Sequence, residues 1–142
     1  MLLRTTLLRH VAPPPTGPHF DWLIASPPGP RRGADPPAGL WTARVARPWT
    51  DWPRLGRFDL TPLPPHRVRY LDWAGPLTAG RGHVYPAAHG HVLPRLWTPH
   101  RLELELLTPR LTARLHLRLD RRGDVWSATA GFPRRVADAA AS

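Results

Sequence analysis

Apolar and polar residues alternate along much of this chain, and the alternation is clearest towards its C-terminal end. Residues 102–107 read Leu-Glu-Leu-Glu-Leu-Leu, residues 111–119 read "LTARLHLRL", and "TPR" stands between them. "DRRGD" then turns into "VWSATA" at 125–130. A period of two sends residues i and i+2 to the same face of a strand, so this end predicts successive β-strands. Three more strands are predicted at 2–10, 19–26 and 40–47. In the second, Phe20, Trp22 and Ile24 form an apolar face, and His19, Asp21 and Leu23 share the other. Residues 66–73, "HRVRYLDW", interleave β-branched and aromatic residues with arginine and read as extended. Residues 83–86 and 90–97 flank "AAHG" as the arms of a hairpin. The segment 48–65 reads as an irregular connection with one short helical turn. The stretches 11–18 and 27–39 are proline-rich loops, and residues 134–142 are a short helix or a frayed tail.

Short strands separated by turn residues predict an all-β fold: a compact antiparallel β-barrel with short helical turns, or a sandwich closed in the same way. The 142 residues suit one domain, 1–142, long enough to bury a core without staples. Twenty prolines exclude long helices, while seven tryptophans argue against disorder. There is no cysteine, which excludes disulfides and thiolate metal sites. Arginines break every apolar run near the N-terminus, so the chain is read as lacking a signal peptide or membrane span and as cytoplasmic.

The formal net charge of +10 points to a polyanionic partner such as nucleic acid. All 20 basic residues are arginine, and lysine, asparagine and glutamine are absent. That usage also fits a GC-rich coding sequence, so charge alone leaves both explanations standing.

Two sets of residues carry candidate chemistry. His19 and Asp21 project from one strand face, and His10 ends the neighbouring strand. Two imidazoles and a carboxylate on one face, with open positions, form a known type of divalent-metal site. The competing reading is a pair of ordinary histidines and an H-x-D pattern without meaning. His66 and Tyr70 share a face if 66–70 is extended, and there they would hydrogen-bond a phosphate oxygen or protonate a leaving group. An ordinary strand-end histidine and sheet tyrosine are the alternative. His83 and the "HGH" at 89–91 are not read as a second metal site, His89 being a turn residue, and Trp41, Trp73, Trp97 and Trp126 read as core or rim residues.

The ordered set "LLRH…HFD…HRVRYLDWAGPLTAGRG.V" resembles the 3'-phosphoesterase domain found at the N-terminus of bacterial DNA ligase D, and its small stand-alone relatives. The likeness runs from about residue 3 to 119. It implies a manganese-binding β-barrel that removes a 3'-ribonucleoside or 3'-phosphate from DNA ends in repair by non-homologous end joining. It implies His10, His19 and Asp21 as metal ligands and His66 and Tyr70 beside the scissile phosphate. The implied partners are DNA 3' ends and a separate ligase or polymerase, with no membrane. The family's usual arginine two residues after the aspartate is Leu23 here, and its acidic residue before the "DWAG" glycine is Ala74. An apolar side chain cannot grip phosphate bidentately. Arg57 and Arg81 are the expected replacements. A barrel that binds DNA ends or a repair partner without catalysis is the alternative.

Overall fold

The computed structural model describes residues 1–25, 39–77 and 79–133. The predicted tail at 134–142 and most of the 27–39 loop lie outside the described residues. The described chain forms nine strands: β1 (Leu3–Val11), β2 (Pro18–Ala25), β3 (Leu40–Val45), β4 (Arg57–His66), β5 (Gly75–Pro76), β6 (His83–Trp97), β7 (Arg101–Leu107), β8 (Leu115–Arg122) and β9 (Val125–Gly131). A 3-10 turn (Trp49–Asp51) runs into a one-turn helix, α1 (Trp52–Leu55), and a second 3-10 turn covers Val68–Leu71.

The strands are hydrogen-bonded in the order β1-β2-β3-β4-β9-β8-β7-β6, and β6 returns to β1. The result is a closed eight-stranded antiparallel barrel, with β5 added on the outside against Val84 and His83. Closure removes the free edges that an open sheet would expose. The all-β barrel expected from the alternating pattern is therefore what forms.

The alternation places the core. Leu7, Phe20, Trp22, Ile24, Ala43, Leu60, Leu104, Leu117 and Trp126 fill the barrel interior. Trp22 is fully enclosed, meets Trp41 and Trp52 edge-on, and donates its indole N–H to Thr5 Oγ1 at 2.8 Å. Trp41, Trp97 and Trp126 pack in or against this core, as expected.

Four expectations are corrected. Residues 57–66 form a strand, not an irregular connection. Pro62, Pro64 and Pro65 fall where β4 pairs with β3 alone, beyond the Arg57–Leu60 stretch that pairs with β9. The missing N–H groups therefore break no second ladder. Residues 68–71 form a 3-10 turn, so 66, 68 and 70 do not share a strand face. "AAHG" is not a hairpin: β6 runs unbroken from His83 to Trp97, and Ala87 is the extra residue of a bulge opposite Leu7 and Leu8. Finally, β8 starts at Leu115, and the residues before it belong to the turn after β7.

A second, smaller core lies on the outside of the barrel. Leu8, Leu23, Leu40 and Val84 point outward and are covered by Leu71, with Tyr70, Trp73 and Leu77 packed alongside. The 3-10 turn and β5 thus form a lid of chain over β1, β2 and β6. The metal-ligand candidates sit at its margin.

Candidate metal centre

His10 and His19 are direct cross-strand partners in the β1–β2 ladder, and Asp21 lies two residues further along β2 on the same outer face. The hairpin between Val11 and Pro18 sets this register. Gly17 (φ 70°) takes the left-handed turn that closes it, with Gly17 N–H donating to Pro13 O. His19 and Asp21 are 6% and 3% exposed, and His10 is half-buried. Their own side chains point away from the barrel interior, so they do not anchor the strand. The other face of the same strand does that, through Phe20, Trp22 and Ile24.

The hydrogen bonds around the two imidazoles fix where their lone pairs point. His10 Nε2 lies 2.8 Å from the Arg81 carbonyl, and His19 Nδ1 lies 3.0 Å from the Gly17 carbonyl. A carbonyl only accepts, so each of these nitrogens carries the proton. In the neutral rings His10 Nδ1 and His19 Nε2 are then left with lone pairs, and they face each other at 3.1 Å. Asp21 completes the cluster, with Oδ2 at 3.2 Å from His10 Nδ1 and Oδ1 at 3.1 Å from His19 Nε2. Oδ1 is buried and has no hydrogen-bond donor, although a nitrogen stands close. That is what two acceptors facing each other look like.

The donor set fits a divalent cation. Four acceptor atoms converge with no proton between them in the neutral state, and such an arrangement calls for positive charge at its centre. The outer N–H to carbonyl bonds are the orienting contacts that ligating histidines ordinarily have. Two imidazoles and one carboxylate leave coordination positions open for water or substrate. Among the described residues this is the one cluster of three or more such groups, with ligand atoms within 4.8 Å of one another. His83, His89 and His91 form none. His89 accepts from or donates to Thr6 Oγ1 at 3.1 Å, and His83 stacks on Tyr85.

A cavity of about 610 Å³ opens beside the cluster. His10 and Asp21 line it, and so do His66, Tyr70, Arg44 and Arg81. His66 ends β4, and Tyr70 follows one 3-10 turn later. The two rings meet edge-on at 5.8 Å, with Arg69 bonding the Tyr70 hydroxyl at 3.3 Å. His66 and Tyr70 therefore do come together in the cavity, by a turn and not by a shared strand face. Arg81 gives its carbonyl to His10 and is one of the residues that line the cavity.

Arg57 is not there. It begins β4, and nine residues of strand at about 3.3 Å each put it roughly 30 Å from His66 along the strand. It pairs with Thr129 and faces a different groove, lined by Glu103, Glu105, His116 and Arg118. The residue that sequence reasoning missed is Arg44, which pairs with Asp21 across β2 and β3. The period-two pattern of 40–47 would have placed Arg44 outward with Thr42. Only the register could have set it against Asp21.

Leu23, where the resemblance puts arginine, is fully enclosed beneath Leu71 in the outer core. Its apolar side chain is a packing residue of the lid. Among the described residues no helix is long and apolar enough to cross a membrane. No protein-family model and no curated protein matches this chain.

Proposed function

We propose that this chain is a divalent-metal-dependent phosphoesterase that removes a 3'-phosphate or 3'-ribonucleoside from DNA ends, with manganese as the expected cation. The observation that carries the reading is the set of lone pairs converging from His10, His19 and Asp21, each imidazole oriented by a backbone carbonyl. The arginines of the cavity wall and its aromatic–imidazole pair suit a phosphoester. Its volume is in the range that encloses a small ligand, so it would take a strand terminus and not a duplex.

A cation held there would polarise a phosphoryl oxygen and make a bound water more acidic. In the hydrolysis of a 3'-phosphate, water attacks phosphorus and the bond from phosphorus to the 3'-oxygen breaks. The departing oxygen takes a proton, which the Tyr70 hydroxyl on the cavity wall would supply; the neutral His66 ring has its one N–H, on Nδ1, turned to the Pro64 carbonyl, so His66 would supply it only as the imidazolium. Inorganic phosphate leaves, and a 3'-hydroxyl remains. A separate ligase or polymerase would use that hydroxyl.

The test is end trimming of a labelled primer–template carrying a 3'-phosphate or a 3'-ribonucleotide, with manganese, by wild type and His19→Ala. Orienting contacts alone are worth about 10–100-fold at metal sites, so loss of a ligand should lower the rate by at least about a hundredfold. Salt-sensitive DNA binding without trimming would instead favour a barrel that binds ends and does not cut.

A further inference from the structure

Arg44 stands on β3 directly opposite Asp21, on the same outward face, and lines the cavity. Directly opposed residues of an antiparallel pair have Cβ atoms about 5 Å apart. Thr42, two residues back, pairs with Leu23, so Arg44 is diagonal to the position where the resemblance expects arginine. Its Nε is shut off from solvent and has no hydrogen-bond partner. A buried N–H of a charged group left unpaired is costly, and a ligand oxygen would relieve that cost once a small side-chain shift opens Nε to the cavity. Arg81 lines the same cavity, whereas two other arginines there are less well placed. Arg69 lies over the rings of Tyr70 and Trp73 at 5.1 and 5.4 Å, and Arg67 is exposed at the lid.

We propose that Arg44 is the phosphate grip of this site, binding a non-bridging phosphoryl oxygen through its Nε edge and so supplying from β3 what position 23 of β2 does not. The inference rests on the phosphoesterase reading above, and it adds a residue that acts directly on substrate. The Nε–Nη edge of arginine presents two parallel N–H groups that match phosphate, which lysine cannot reproduce.

Inorganic phosphate is the probe, titrated calorimetrically into wild type, Arg44→Ala, Arg44→Lys and Arg122→Ala in the presence of manganese. Manganese affinity and 3'-phosphate release are measured on the same proteins. One charge-assisted contact corresponds to about a 10–150-fold change, so Arg44→Ala should weaken phosphate binding by that factor. Manganese affinity should not fall, because the three ligands stay in place and a positive charge opposite Asp21 is removed. Arg44→Lys should recover part of the loss at most, because the charge returns without the fork. Arg122→Ala removes an equal charge from the far end of β8 and should leave phosphate binding unchanged.

If Arg44→Ala binds phosphate as wild type does, the inference is overturned, and trimming by the wild type would still uphold the phosphoesterase. Absence of phosphate binding by the wild type overturns it as well. If phosphate binding depends on Arg44 but the wild type binds no manganese and trims nothing, the anion site stands and the phosphoesterase reading fails.

Discussion

Asp21 concentrates the conflict between folding and function. It is nearly fully enclosed, its Oδ1 lacks a donor, and two imidazole lone pairs face it. Packing alone would not select such an arrangement. Asp21→Asn would put an amide N–H in the same place, able to donate to His10 Nδ1 or His19 Nε2. In the presence of a chelator this variant should be more stable than wild type by about 1 kcal/mol, the worth of one satisfied buried hydrogen bond. In a chain of this size that is a rise of about 3–4 °C in Tm. Manganese should stabilise the wild type and not the variant. A variant that melts well below wild type in chelator would mark Asp21 as structural. Position 23 behaves in the opposite way. Restoring arginine there looks like a repair on sequence grounds. In the structure it forces a charge into the outer core among Leu8, Leu40, Leu71 and Val84. Leu23→Arg should cost on the order of 3 kcal/mol or more, read by denaturant unfolding, and should lower activity with it.

At the scale of elements, the site depends on how three segments meet: the β1–β2 hairpin, the end of β4, and the lid made of the Val68–Leu71 turn and β5, with Arg81 and Gly82 behind it. Gly82 joins the lid to β1. Its φ is +91°, and a Cβ there would collide with the Val11 carbonyl. The Leu77 N–H to Gly82 O bond at 2.8 Å closes the turn that presents the Arg81 carbonyl to His10. Gly82→Ala should therefore destabilise the fold by more than the roughly 1–3 kcal/mol of strained backbone alone, because a carbonyl must also move. It should weaken manganese binding too, although it changes no ligand. Calorimetric titration and thermal unfolding of the one variant check both.

The β7–β8 pair offers a pH-dependent counterpart. Asp120 is hydrogen-bonded by Arg101 Nε at 2.7 Å and by Arg118 Nε at 3.0 Å. The Arg101 bond above all holds its carboxyl below the usual carboxylate range. Because the folded pKa is the lower one, the stabilisation is complete above the ordinary aspartate range and fades as pH falls through the lowered value. The stability gap between wild type and Asp120→Asn should accordingly narrow on acidification, as read by unfolding at a series of pH values.

The same scale explains what the sequence could and could not reveal. Strands whose two faces see different environments announce themselves, as β2, β7 and β9 do. His10, His19 and Asp21 were legible because a hairpin with a short loop brings its own ends together. β4 was hidden by prolines that only its one-sided pairing tolerates, and β6 by a glycine and a bulge that resemble a turn. His66 and Tyr70 were found for a geometric reason that does not hold, since a 3-10 turn and not a strand unites them. Arg44 was invisible because its importance comes from register across a segment that no local pattern specifies.

For the molecule as a whole, closure of the barrel decides how a partner can bind. Among the described residues each of the eight barrel strands has a neighbour on both sides, so recognition would fall mainly to side chains on the outer faces and to the cavity. The net charge of +10 would attract any polyanion, whatever its end chemistry. Salt separates the two contributions. Backbone attraction to duplex DNA falls steeply with ionic strength, by about 10³–10⁵ between 50 and 200 mM salt for 6–10 phosphate contacts. A contact made inside an enclosed cavity is screened far less. Binding of two otherwise identical duplexes, one ending in a 3'-phosphate and one in a 3'-hydroxyl, should therefore weaken together as salt rises, while the preference for the phosphate persists. Fluorescence anisotropy with manganese and Asp21→Asn, which retains the basic surface but not the Asp21 carboxylate, measures both quantities. The variant should keep the salt-sensitive affinity and lose the preference. If the wild type shows no preference for the phosphate end at any salt concentration, the charge of the barrel acts without the site, and recognition of a terminus has to be abandoned.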